Sequence, residues 1–201
     1  MQETKPAFLR WYFLFAAFVA GAVVLALEVL AARVMAPALG TGSLTWASLL
    51  AVALGSLALG NFLGGLSLRW RSFHRNVFWI LACSAFIVVQ LSWSYRIFME
   101  AAAGASPVWG SLLAATMTQG FPLFGLGFLT PLLIRKGEGK TWWAGAILAA
   151  GTAGGMVGAL GAGLWLLPSV GILRSYLVLA LLLSAASLPG AFTESARTAM
   201  R

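Results

Sequence analysis

The chain has 201 residues, 61% of them hydrophobic and 9% charged, against about 25% charged in a soluble domain. With a mean hydropathy of +0.92, this excludes an ordinary soluble domain and indicates an integral membrane protein. Thirteen Lys and Arg against five acidic residues give a net charge of +8, yet the basic residues sit in short segments between apolar runs, so they read as topology signals and lipid head-group contacts and not as a nucleic-acid surface. The apolar runs are continuous rather than alternating, which speaks against a β-barrel. Cys83 is the single cysteine and His74 the single histidine, so neither a disulfide framework nor a metal centre is expected.

In chain order the sequence predicts an all-α, single-domain, six-helix transmembrane bundle with helices over about 8–33, 43–68, 76–93, 107–134, 142–167 and 172–188. The first run is too long for a signal-peptide core and has no small-residue cleavage site before Glu28. Pro6 opens it, and the Ala36–Gly40 corner is expected to end it. Ser43 is placed to cap the second helix, and a basic, aromatic loop at 69–75 follows it. The third helix could continue toward Glu100. The fourth carries Pro122 and Pro131, which should bend it. The fifth is rich in glycine, Pro168–Gly171 reads as a turn, and Pro189-Gly190 is expected to start a short cytoplasmic tail over 189–201.

Six crossings place both termini on one side. Lys5, Arg10, Arg69, Arg71, Arg75, Arg135, Lys136, Lys140, Arg197 and Arg201 belong to that side, and only Arg33, Arg96 and Arg174 to the other. Ten against three predicts cytoplasmic termini, in the inner membrane of a prokaryote. Arg33, Arg69, Arg71 and Arg75 are then head-group residues.

The chemistry-bearing residues are few. Gly151, Gly154, Gly155 and Gly158 repeat at small-x3-small spacing, and Gly55, Gly60 and Gly64 do so more loosely. Such spacing lets another backbone approach closely; tight packing is the plainer reading, and a sliding transporter contact would look the same. None of these runs has the Gly-x-Gly-x-x-Gly of a nucleotide loop or a P-loop Lys, so no cofactor is expected. Glu28 is the one acidic residue well inside an apolar run, and a central carboxylate costs about 2.5–3.5 kcal/mol on insertion scales. It should therefore face protein or water. By depth, Trp46, Ser48 and Thr116 are its expected neighbours, making a candidate ligand site. Two readings stay open: a Glu bonded to hydroxyls that pins helices together, or a site for a proton or a cation, with Trp46 stacking on an ammonium. Asn61, Gln90, Thr118, Gln119, Thr130 and Thr152 read as interhelical hydrogen-bonding residues.

Three blocks resemble the membrane domain of spermidine synthase-like membrane proteins, a fused major-facilitator/spermidine synthase family. The first holds Glu28, Arg33, Ala36-Pro37, Gly40, Trp46 and Gly60 through Gly64-Gly65; the second is Gly127-Phe128-Leu129-Thr130-Pro131 with Arg135; the third is Gly151-Thr152-Ala153-Gly154-Gly155 through Gly158, then Leu167-Pro168 and Gly171. The blocks occur in order along nearly the whole chain. The family commonly carries a cytosolic aminopropyltransferase domain, and this sequence stops where that domain would begin. Leu68 also stands where a major-facilitator loop would have Asp.

The resemblance implies half of a major-facilitator fold, not an enzyme by itself. It would anchor or feed a separately encoded aminopropyltransferase-like or methyltransferase-like enzyme that handles polyamine-like substrates. Two alternatives remain: a half-size transporter that works as a homodimer on a small amine or metabolite, and a structural subunit of a larger membrane complex.

Overall fold

The structure is a computed structural model and describes residues 7–67, 77–136 and 141–199, the last ten by their backbone alone. Every element among them is helical: α1 Ala7–Leu39, α2 Ser43–Ser67, α3 Val77–Ala103, α4 Pro107–Ala115, α5 Phe121–Gly127, α6 Leu129–Lys136, α7 Thr141–Gly161 and α8 Leu167–Ala199. Two wider π turns, Thr116–Gly120 and Ala162–Leu166, join α4 to α5 and α7 to α8. Five continuous helical runs among the described residues are long and apolar enough to cross a membrane: Phe8–Leu39, Ser43–Ser67, Val77–Ala103, Pro107–Lys136 and Thr141–Pro189. The chain is a membrane protein built as an all-helical bundle.

The last run has 49 residues and would be about 74 Å long if straight. It is broken at Gly171, whose φ of 77° and ψ of 176° lie in a region open to glycine alone. Along α7 and the π turn after it the partners on α1 ascend together: Gly154 lies against Phe18, Gly158 against Ala22 and Gly163 against Val29. On α8, however, the Ala186 carbonyl accepts a hydrogen bond from the Tyr12 hydroxyl, back near the start of α1. The run climbs parallel to α1, turns at Gly171 and returns antiparallel to it.

The helix ends differ from the sequence expectation where proline was read as a stop. α1 continues past Arg33 and through Pro37 to Leu39. Proline there loses one bond in a final turn, and the true stop is Gly40, at φ 74°, whose N–H donates to the Ala36 carbonyl at 3.0 Å. α3 runs ten residues beyond Trp93, since nothing before Gly104 and Pro107 opposes a helix. Pro122 and Pro168 each follow a π turn by two residues. A proline ring collides with the carbonyl four residues back, and widening the turn before it relieves the collision without ending the helix. α8 likewise passes through Pro189 to Ala199, so the expected tail is helical over most of its length.

α1 packs most extensively on α7, α3 on α8 and α2 on α5, with α1 also touching α8. Leu27, Leu30, Leu123, Leu129, Leu133, Tyr176 and Leu183 fill the centre. Gly60 sits against Phe124 and Gly127, and Gly64 against Phe128 and Pro131, so α2 and the α5–α6 run are parallel neighbours.

A candidate binding cavity between α1, α2, α5, α6 and α7

The α1–α7 contact is made of backbone. A Cβ on Gly21 would collide with the Gly151 carbonyl, one on Gly154 with Phe18 and one on Gly158 with Ala22. Gly155 lies 2.9 Å, measured from its would-be Cβ, from Leu25 Cδ1. Helices held this close carry little side-chain volume on the flank of their contact. Ala17, Ala20, Gly21 and Val24 on α1, with Ile147, Gly151, Thr152 and Gly155 on α7, leave that flank hollow. Leu57 of α2, and Leu126, Leu129, Thr130 and Leu133 of α5 and α6, stand across from them around a cavity of about 320 Å³.

The lining is apolar apart from Thr130 and Thr152. The Thr152 hydroxyl donates to the Leu148 carbonyl at 2.9 Å and keeps its acceptor lone pairs. No charged side chain lines the space, and no group of three metal-ligating side chains exists among the described residues. A cavity of this size and polarity takes a compact apolar body with one weakly polar contact.

Glu28 does not line the cavity, but it stands on the same stripe of α1. It follows Val24 by four residues, Gly21 by seven and Ala17 by eleven, which returns it to within about 20° of Ala17 around the helix. The carboxylate therefore sits about 6 Å outward of Val24, half-buried, and makes no hydrogen bond or ion pair among the described residues. Gly163, in the second π turn, marks the same level: its would-be Cβ is 3.8 Å from Val29 Cγ1.

Of the residues expected to form one ligand site with Glu28, Trp46 and Ser48 are not brought to its level. The Thr45 hydroxyl donates to the Leu39 carbonyl at 3.2 Å and fixes the register of α2 against α1. Ser48 is three residues inward of that bond and Glu28 eleven, a difference in depth of about 12 Å. Trp46 is farther out still and 50% exposed. Ser48 is buried, and the Thr116 hydroxyl is bonded to the Leu112 carbonyl of its own helix at 2.8 Å.

Among the glycines expected to pack, Gly60, Gly64, Gly151, Gly154, Gly155 and Gly158 all lie at close helix contacts, Gly151 through its backbone beneath Gly21. Gly55 differs: it is exposed, and a Cβ there would meet nothing within 4 Å. Arg33 is exposed six residues before the end of α1, whereas Arg69, Arg71, Arg75 and His74 lie outside the described residues.

Thr130 and Thr152, the polar residues that do line the cavity, read from sequence as packing residues only. A signal for them existed: each is the threonine of one of the resemblance blocks, Gly127–Pro131 and Gly151–Gly155. No family model, no curated protein and no solved structure matches the chain.

Proposed function

We propose that the protein is a six-crossing membrane module that holds a small amine with an apolar body, in the manner the spermidine synthase-like resemblance implies, and presents it to a separate transferase. One observation carries this reading. Three blocks far apart in sequence meet at one place, since Thr130 and Thr152 line the cavity and Glu28 stands one turn above it on the same stripe of α1. The cavity would take the alkyl body, and Glu28 would take the ammonium as a charge-assisted hydrogen-bond acceptor.

The reversal at Gly171 supports dividing the last apolar run into two crossings. Six crossings with the ten-to-three distribution of Lys and Arg put both termini in the cytoplasm. Reporter fusions at Arg201 and in the loop near Ala105 should then report opposite sides; the same side for both would rule this topology out.

The binding test uses purified protein in nanodiscs with putrescine, spermidine and a straight-chain monoamine. Wild type should bind, with the longer alkyl chain favoured. Glu28→Gln should lose affinity about tenfold or more while melting like wild type, the loss of a charged partner being worth about 1.5–3 kcal/mol. Thr152→Leu should fill the cavity and weaken every amine. Absence of amine binding by wild type, or unchanged affinity in both variants, would overturn the reading.

A further inference from the structure

The cavity is not closed on every side. α2 packs on α5 and α6, and α7 on α1 and α6, but α2 and α7 are not packed on one another. Leu57 of α2 is only half-buried, Leu148 of α7 is 54% exposed and Thr152, one turn on, is exposed, although all three line the space. The cavity therefore opens sideways, through a gap between α2 and α7 on the outer surface of the bundle. About a turn to either side of Leu57 and Thr152 stand Leu54 and Asn61 on α2 and Ala149 and Met156 on α7, all exposed and apolar but for the Asn61 amide.

The level of this gap in the membrane follows from α1. Arg10 and Arg33 bracket Gly21 by eleven and twelve residues, about 17 and 18 Å along the helix. Neither guanidinium rests in hydrocarbon farther from a surface than its own side chain reaches. With about 30 Å of hydrocarbon between the two surfaces, Gly21 lies near the middle. A Cβ on Gly21 would meet the carbonyl of Gly151, the residue before Thr152, so the lip of the cavity shares that level. A gap there opens onto lipid chains and not onto water. Glu28 lies seven residues outward of Gly21, about 10 Å nearer one surface, on the stripe that leads into the cavity.

We propose that the cavity is loaded sideways from the bilayer, through the gap between α2 and α7, and that its ligand is a single-chain amphiphilic amine dissolved in the membrane. On the amine-binding reading, on which this rests and which it narrows, Glu28 takes the ammonium and the alkyl chain runs inward past Val24 and Gly21 toward Ala17. A lipid-dissolved amine already has that orientation, its charged head toward a surface and its chain toward the middle. It enters the gap without leaving the hydrocarbon, and no charge has to cross the apolar lining. Putrescine and spermidine carry a charged nitrogen at each end. The inner one would lie among Leu126, Leu129 and Leu133 with only the Thr130 and Thr152 hydroxyls in reach, a costly place for a charge. The site therefore selects one charged head and a plain tail. The stripe from Glu28 to Ala17 is about 17 Å long, so a long chain fills it and a short one leaves part of the lining without contacts.

The chain has one cysteine, so a nitroxide can be attached at Leu57→Cys or at Thr152→Cys in a Cys83→Ser background, with the protein in vesicles. Molecular oxygen, which concentrates in hydrocarbon, should relax both labels more than a water-soluble nickel chelate does. The reverse at either position would reveal a water-filled opening and overturn lateral loading, while leaving the amine-binding reading in place. For the ligand, radiolabelled dodecylamine is titrated into nanodiscs holding the wild-type chain, with empty nanodiscs subtracted. Dodecylamine should bind about tenfold or more tightly than butylamine, and excess putrescine or spermidine should not displace it. Dodecanol should bind about tenfold more weakly than dodecylamine, and Glu28→Gln should close that difference. Butylamine or a diamine binding as tightly as dodecylamine would overturn this proposal alone. No binding of any amine, or dodecanol binding as well as dodecylamine, would overturn the amine-binding reading and this proposal with it.

Discussion

On one side α1 lies backbone to backbone against α7; on the other it faces α2, α5 and α6 across a cavity of about 320 Å³. The same small residues produce both. Gly21, Gly154 and Gly158 bring two helix axes together, and the missing side chains that permit it leave the flank of the contact unfilled. A close contact beside a void is therefore one feature. The contact of α2 with the α5–α6 run shows the same close approach, Gly60 against the main chain of Phe124 and Gly127 and Gly64 against the main chain of Phe128 and the ring of Pro131.

Substitutions of glycine by leucine should grade this difference. The largest effect is expected at Gly158, where the new Cβ meets the main chain of Ala22, which cannot move without moving α1. Gly158→Leu should destabilise by about 3 kcal/mol or more, measured by thermal or denaturant unfolding in detergent. An unchanged midpoint would show that α7 does not touch α1 there. Gly155→Leu comes next. Its neighbour is the far end of the Leu25 side chain, which can rotate toward the cavity, so about 1–2 kcal/mol is expected. A cost as large as that of Gly158→Leu would mean the cavity cannot absorb the displaced side chain. Gly55→Leu should have the smallest effect, within about 0.5 kcal/mol of wild type or slightly stabilising through helix propensity, because nothing stands within 4 Å. A large loss there would show that the face is covered by another chain.

Much of the helix count was legible because a membrane span is a local property: about 20 apolar residues suffice to announce it. Prolines misled the boundaries at Pro37 and Pro168: in the last turn of α1 a proline removes one bond without ending the helix, and before Pro168 a π turn makes room for the ring, as one does before Pro122, which was expected only to bend its helix. That misreading propagated into the candidate site. With α1 ending at Arg33, Glu28 counts as shallow and level with Ser48; with α1 ending at Leu39, six residues later, it lies about 9 Å deeper. The depth argument for Trp46 and Ser48 was thus undone by an error in one helix end.

The sequence by itself determined that the chain lives in a membrane, which segments are helical, and that Glu28 is the costly side chain. Each follows from composition or local spacing. It could not determine which face of a helix is covered, because lipid is as apolar as a protein core and supplies no contrast between the two. Gly55 and Gly155 sit at similar small-residue spacings, yet one faces outward and the other is buried against Leu25. Only the tertiary structure decided that, and with it the cavity. Thr130 and Thr152 come together there because the α1–α7 backbones touch, α7 and α1 run parallel, and α5 and α6 close the opposite wall.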